Sequence, residues 1–257
     1  SQFIQGSSAT VLSLGATDEI DLTATAIDVN GTMDVSGALT GTTATFTTAD
    51  NTAQVALVST DADAADGPIL EMFRNSSSPA DDDDLGIIKF FGENDASEKI
   101  EYGIIEVKAV DVSDGTEDGS INFTAMLNGT ARSRLFSNST ETVFNEGSQD
   151  LDFRVESNAR THGFFVDGGT SAVSIGVAPR SDVHSTWGQL FLGEKGSLIS
   201  ENLGSGGNFG MLVSDNLYVD SDTGSFAYIT ADEASLYSQE AGQHKFFGVA
   251  SGSAGAG

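Results

Sequence analysis

The chain has no cysteine, three prolines and one tryptophan among its 257 residues. Without cysteine there is no disulfide, no thiolate metal ligand and no cysteine nucleophile. Positive charge is scarce as well: 11 Lys and Arg face 38 Asp and Glu, for a net charge of −27. Such a surface repels phosphate backbones and anionic headgroups, so nucleic acid is not an expected partner. No apolar run approaches the roughly 18 residues of a spanning helix. The opening residues SQFIQG carry neither the basic nor the apolar region of a signal peptide. Membrane insertion is therefore not expected. Apolar residues recurring at three- and four-residue spacing are missing too, which argues against long amphipathic helices.

What the chain does have is 30 glycines and many Ser, Thr, Ala and Asp, the composition of short strands joined by tight turns. Only 39% of it is hydrophobic, little for one globular core and better suited to a core shared between subunits. The expected fold class is all-β, with a thin β-rung shaft followed by antiparallel β-sandwich or β-prism domains. Residues 1–50 carry a recurring unit, Ile20-Asp21-Leu22, Ile27-Asp28-Val29 and Met33-Asp34-Val35. Each unit puts two apolar side chains on one face and an Asp on the other. Turns at Asn30-Gly31 and Ser36-Gly37 would let such rungs wind round an axis, as in a β-helix; a disordered linker is the alternative.

Residues 51–180 read as a denser antiparallel domain, with strands expected at 54–59, 69–74, 85–92, 100–110, 121–127, 134–137, 142–145, 151–156, 163–167 and 173–177. Parallel pairs are not expected, because no helical crossover is visible. Pro179 marks a boundary, and 181–257 reads as a second, glycine-rich β domain. The tail SGSAGAG cannot pack, and the chain is expected to be a fragment of a longer protein.

Two acidic stretches stand out as cation candidates. Asp81–Asp84 presents four adjacent carboxylates, but consecutive side chains in extended backbone point apart, and a solvated loop is the favoured reading. In the stretch 111–119, Asp111, Asp114 and Asp118 are spaced so that a tight turn would wrap them round one Ca²⁺; a hairpin turn that merely needs Asp-Gly is favoured over it. No cofactor is called for. His162, His184 and His244 are far apart and lack the spacing of a local metal motif. No nucleophile elbow, P-loop or dinucleotide fingerprint occurs, and no enzymatic activity is expected. Loops containing Asn75, Asp81, Asp84 and Asn208 are the candidate contact sites.

The aromatics are more telling. Phe90-Phe91, Phe164-Phe165 and Phe246-Phe247 are adjacent pairs, so in a strand one ring faces each side of the sheet and both sides need cover. One ring would fill the subunit's own core and the other an interface between subunits. Trp187, Tyr218, Tyr228 and Tyr237 would make either a sugar-binding platform or ordinary packing, and packing is favoured.

Several segments together resemble a known family. The stretch from Phe73 to Phe90, the pieces Asp150–Ser157 and Thr161–Gly168, and Val173-Ser174-Ile175-Gly176-Val177-Ala178-Pro179 are similar to blocks in tail-fibre and related structural proteins of marine tailed phages. The last departs from the family's V-G-I-G-T-x-x-P punctuation at Ser174 and Val177. Tyr228 to Phe247 is similar to a further block, so the resemblance covers about half the chain. It implies an elongated homotrimer in a virion appendage, with other tail or capsid proteins as neighbours and a host-surface glycan or protein receptor as target. A polysaccharide-cleaving tailspike and a non-adhesive capsid or filament building block are the alternatives.

Overall fold

The computed structural model describes residues 3–8, 11–16, 18–201 and 210–257. Every regular element among them is a strand, and none is a helix. The chain divides into two units, 1–70 and 71–257.

In the first unit β1 (Phe3–Ser8) pairs antiparallel with β2 (Val11–Gly15). Among the described residues 18–70 there is no strand, so the expected rungs at 20–22, 27–29 and 33–35 and the expected strand at 54–59 are absent from the single chain. The reason is physical. A rung offers two aliphatic side chains and finds nothing in its own chain to cover them: Met33 remains 64% exposed. Its polar groups settle for local bonds, as Thr23 Oγ1 donates to Asp21 Oδ1 at 3.0 Å and Asn30 Nδ2 to Asp28 Oδ2 at 3.1 Å.

The second unit holds all the larger sheets. The strand expected at 69–74 is likewise absent. Instead the Arg74 guanidinium donates to the Asp84 carbonyl at 3.0 Å and pairs with Asp83 at 2.8 Å, so this stretch is tied to its neighbour by a side chain. A five-stranded meander follows: β3 (Asp83–Glu93), β4 (Lys99–Asp111), β5 (Asp118–Leu127), β6 (Thr130–Ser137) and β7 (Thr142–Phe144), each antiparallel to the next. Asn128-Gly129 turns β5 into β6 with both residues at positive φ, 47° and 76°, the geometry for which Asn-Gly is selected.

An eight-stranded sheet comes next. It contains β8 (Phe153–Ser157), β9 (Arg160–Val166), β10 (Val173–Ile175), β11 (Trp187–Leu192), β12 (Gly196–Glu201), β13 (Met211–Asp215), β16 (Ala234–Glu240) and β17 (Gln243–Val249). They lie side by side in that order. Pro179 falls between two strands of this one sheet. Contrary to expectation, β10 and β11 are parallel, joined by the helix-free crossover 176–186. The crossover stays irregular because it is spent covering the sheet: Val183 is buried against Phe191 and Tyr218.

Between β13 and β16 the chain leaves the sheet as a small hairpin, β14 (Leu217–Val219) with β15 (Phe226–Tyr228). This hairpin lies on one face of the large sheet and makes the core. Leu217 and Val219 pack with Ile199, Leu212, Ala234 and Leu236, while Tyr218 and Ala227 pack with Phe191, Ala172 and Val183. Each fully buried aliphatic side chain there contributes roughly 1.5–3 kcal/mol. The hairpin's backbone is satisfied by side chains of the sheet beneath it. Gln189 donates Nε2–H to the Val219 carbonyl and accepts the Val219 N–H, both at 3.0 Å, and the hydroxyls of Ser197 and Ser214 donate to the Leu217 carbonyl. Small hydroxyl side chains at those positions let the hairpin approach closely and leave no carbonyl orphaned.

Candidate assembly surface

Covering one face of the large sheet leaves the other bare, and register decides what that bare face shows. Phe153 lies opposite Val166, Val166 opposite Val173, and Val173 opposite Leu190. The row continues through Leu198, Val213, Tyr237 and Phe246. Every strand of the sheet thus contributes an apolar residue to a single cross-strand line. A second, parallel line runs Val155, Phe164, Ile175, Leu192. Because side chains alternate faces, the residues between them point into the core: Phe165, Ser174, Phe191, Ser197, Ser214 and Leu236 are all buried.

The five-stranded sheet carries the same feature. Ile88, Ile105, Phe123, Leu135 and Phe144 lie opposite one another in turn. The Phe144 ring then meets the Phe153 ring with centroids 4.8 Å apart, and Phe153 meets Phe164 at 6.2 Å. The two rows therefore join end to end into one uncharged seam from Ile88 to Phe246. It is open to solvent at Val213, 44% exposed, and Phe246, 80% exposed, and half-buried at Val173, Leu190 and Leu198 between them and β9. Over the eight-stranded sheet alone, twelve positions on strands spaced by about 4.8 Å and lines about 7 Å apart give roughly 400 Å². That is the size of the largest patch a monomer ordinarily leaves exposed, and such a patch is often functional.

The residues singled out in the sequence are placed as follows. The acidic run is built into the fold. Asp81 Oδ1 accepts the Val112 N–H at 3.1 Å, Asp83 pairs with Arg74 and accepts the Ala80 N–H, and Asp84 pairs with Lys108 Nζ at 3.0 Å. Asp81 and Asp84 fasten the start of β3 to β4 and the residue after it, while Asp83 ties the preceding stretch to itself. Asn75 is exposed, and Asn208 lies outside the described residues.

Asp111 and Asp118 face each other where β4 and β5 meet, and Asp114 sits in the turn between them. Asp111 Oδ1 accepts the Ser113 N–H at 2.8 Å, and hydrogen bonds from Ser113, side chain first and backbone second, hold its carboxyl below the usual carboxylate range. Among the described residues, no three His, Cys, Asp or Glu come together as a metal site, so Asp111, Asp114 and Asp118 are not gathered round one point.

His162 and His244 lie on strands, the latter bonded through Nδ1 to the Tyr237 hydroxyl at 2.5 Å, and His184 pairs with Thr186. The aromatic residues do not gather into a platform. Tyr218 is buried, Trp187 and Tyr228 pack against the core, and Tyr237 belongs to the seam. Two of the three Phe pairs divide as alternation requires, whereas Phe90 and Phe91 flank a register shift and are both exposed, 55% and 48%. Phe165 is core and Phe164 is seam, while Phe246 is seam and Phe247 lies on the core side.

Sequence reasoning missed the polar cluster around Tyr218. Its ring carries the Arg180 guanidinium 4.0 Å from the centroid, and its hydroxyl donates to Asp182 at 2.9 Å and Asp220 at 3.3 Å. Burial, then the hydrogen bond to Asp182, push the phenol up to about 12. Burial alone would raise the Asp182 carboxyl, but hydrogen bonds from Arg180 and Tyr218 override it and leave it below the usual range. No local motif signals this cluster, because Tyr218 lies 36 residues from Asp182 in the sequence. No family model, curated protein or solved structure matches the chain.

Proposed function

We propose that this chain is a structural virion protein, a subunit of an elongated homotrimeric tail-fibre-like appendage that attaches to a host cell surface by shape and multivalent contact. It works without a catalytic step. The observation that supports the reading best is the uncharged seam across both large sheets. Each copy carries a net charge of −27, so an uncharged strip is where copies approach with least repulsion. Burying it against the same strip on other copies would cover the face of the eight-stranded sheet that lies opposite its hairpin. The aliphatic rungs of residues 18–70 fit the same logic, since three chains side by side supply the cover that one chain lacks. Three modest contacts on one fibre reinforce one another by avidity of roughly 10²–10⁴, which removes any need for a deep receptor pocket.

Sedimentation of the intact chain tests the assembly, with a trimer expected. Val213→Glu places a charge in the middle of the seam at a half-exposed site, and should yield monomers whose far-ultraviolet circular dichroism is unchanged. A wild-type chain that stays monomeric at tens of micromolar would sink the reading. The location is tested separately with antibody to the chain. Labelling of a projection on intact particles, with adsorption blocked, is the expected result; labelling of the shell alone would favour a capsid building block.

A further inference from the structure

Asn-Gly occurs twice in the chain, at Asn30-Gly31 and at Asn128-Gly129. Both pairs are exposed, so water reaches both side-chain amides. The backbone separates them. Asn128-Gly129 is the two-residue turn between β5 and β6, closed by the pairing of Leu127 with Thr130 and held at φ +47° and +76°. Rotation about Asn128 pulls that ladder apart. Asn30-Gly31 lies in the strand-free stretch 18–70. Among the described residues no backbone hydrogen bond holds either residue, and the space around Gly31 is open. Asn30 does donate from Nδ2 to Asp28 Oδ2 at 3.1 Å, but an exposed side-chain bond leaves its φ and ψ free.

Asparagine followed by glycine holds its own reactants. The glycine nitrogen is not screened by a side chain on the next α-carbon, and closing it onto the asparagine Cγ makes a five-membered ring. The bond from Gly31 N to Asn30 Cγ forms, the Cγ–Nδ2 bond breaks, and the proton from Gly31 N leaves with Nδ2 as ammonia. Water then opens the succinimide at either carbonyl. One product is aspartate; the other is isoaspartate, in which the main chain runs through Cγ. Closure requires the asparagine backbone to turn until the glycine nitrogen meets Cγ, which a free backbone allows and a closed hairpin opposes.

We infer that Asn30 is a site of spontaneous covalent modification, converting to aspartate and isoaspartate while the same dipeptide at Asn128 is protected by its hairpin. Each conversion adds one negative charge to a copy that already carries −27. Isoaspartate also lengthens the main chain by one atom between Ile27-Asp28-Val29 and Met33-Asp34-Val35, which puts the alternation on its two sides out of step. The modification itself does not depend on assembly; only its effect on rungs shared between copies rests on the reading above.

The test is incubation of the intact wild-type chain and of Val213→Glu at mildly alkaline pH, in buffer and in concentrated urea. Peptide mapping reads the one-dalton gain at each asparagine, and isoaspartyl methyltransferase labels the rearranged product. In urea the two Asn-Gly pairs should convert at similar rates. In buffer Asn30 of Val213→Glu should keep that rate within about twofold, while Asn128 of the wild type should slow by about tenfold or more. Gly31→Ala, which screens the nitrogen, should slow conversion at Asn30 severalfold and leave Asn128 unchanged. Protection of Asn30 in the wild type that is lost in Val213→Glu is shielding by neighbouring copies, and supports the assignment together with the assembly. Asn30 slowed in Val213→Glu as strongly as Asn128, or Asn128 converting as fast as Asn30 in buffer, would overturn it.

Discussion

Two residues show how much of the second unit hangs on single side chains. Asn216, between β13 and β14, is fully buried at φ +68°. Its amide donates to the carbonyls of Thr230, Asp232 and Glu233, and its Oδ1 accepts from the Thr230 N–H and hydroxyl. It is the peg that holds the hairpin β14–β15 to the strand that follows. Asn216→Ala removes all five bonds and leaves an alanine in the left-handed region, which Gly and Asn tolerate better. A loss of about 2–4 kcal/mol is expected in urea unfolding, and Asn216→Gly, which tolerates the backbone, should recover the conformational share only. Ala241 is the reverse case. It occupies the first position of the two-residue turn Ala241-Gly242 at φ +47°, where Asn is the favoured residue. Ala241→Asn should stabilise the hairpin β16–β17 by about 0.5–1 kcal/mol in the same measurement.

At the scale of elements, what the sequence reveals is alternation. The strands from β3 to β10 are legible from it to within a few residues, because an apolar residue at every second position and a turn signal at each end leave little freedom. Alternation is silent about partners. It marks Ile20-Asp21-Leu22 or Gln54–Ser59 as readily as a true strand, and only the chain's inability to cover them leaves these unpaired. It also says nothing about register, so the Phe pairs hint at a second buried face while the eight-strand alignment of the seam stays hidden. The parallel pair β10–β11 and the hairpin over the core are invisible for a related reason: both depend on where a short irregular stretch folds back. The Tyr218 cluster is a product of that folding, and its titration is a means of testing it. With the phenol raised to about 12 from 10.0, protonation is complete in both folded and unfolded chains below pH 10. As pH climbs from 10 to 12 the unfolded chain ionises first, and the stabilisation is lost. Tyr218→Phe should cost about 1–2 kcal/mol at pH 8, and the gap between wild type and variant should close towards pH 12. On the acid side Asp182 and Asp220 lie below their ordinary 3.8, so the gap should also narrow as pH falls below that value. A gap independent of pH would place the hydroxyl outside the cluster.

For the whole molecule, charge and seam pull in opposite directions, and salt tells them apart. Each copy brings a net charge of −27, so bringing copies together costs Coulomb energy that the uncharged seam must overcome. Ionic strength weakens the cost and leaves the gain: the screening length falls from about 30 Å at 0.01 M to about 10 Å at 0.1 M, while apolar burial is indifferent to sodium chloride at these concentrations. Association through the seam should therefore strengthen with salt, by several-fold between 0.02 and 0.3 M at the order-of-magnitude level. An interface held by ion pairs behaves the other way, since the same ions screen its attractions. In the proposed assembly Val213→Ala trims the seam without adding charge and should bring the equilibrium into measurable range, and sedimentation equilibrium of this variant across the salt series reads the slope directly. A rising association constant identifies the uncharged seam as the contact. A falling one would move the interface to the charged surface, where Lys89–Glu101 and Arg154–Glu156 already form exposed pairs within one chain that exchange between chains could use instead.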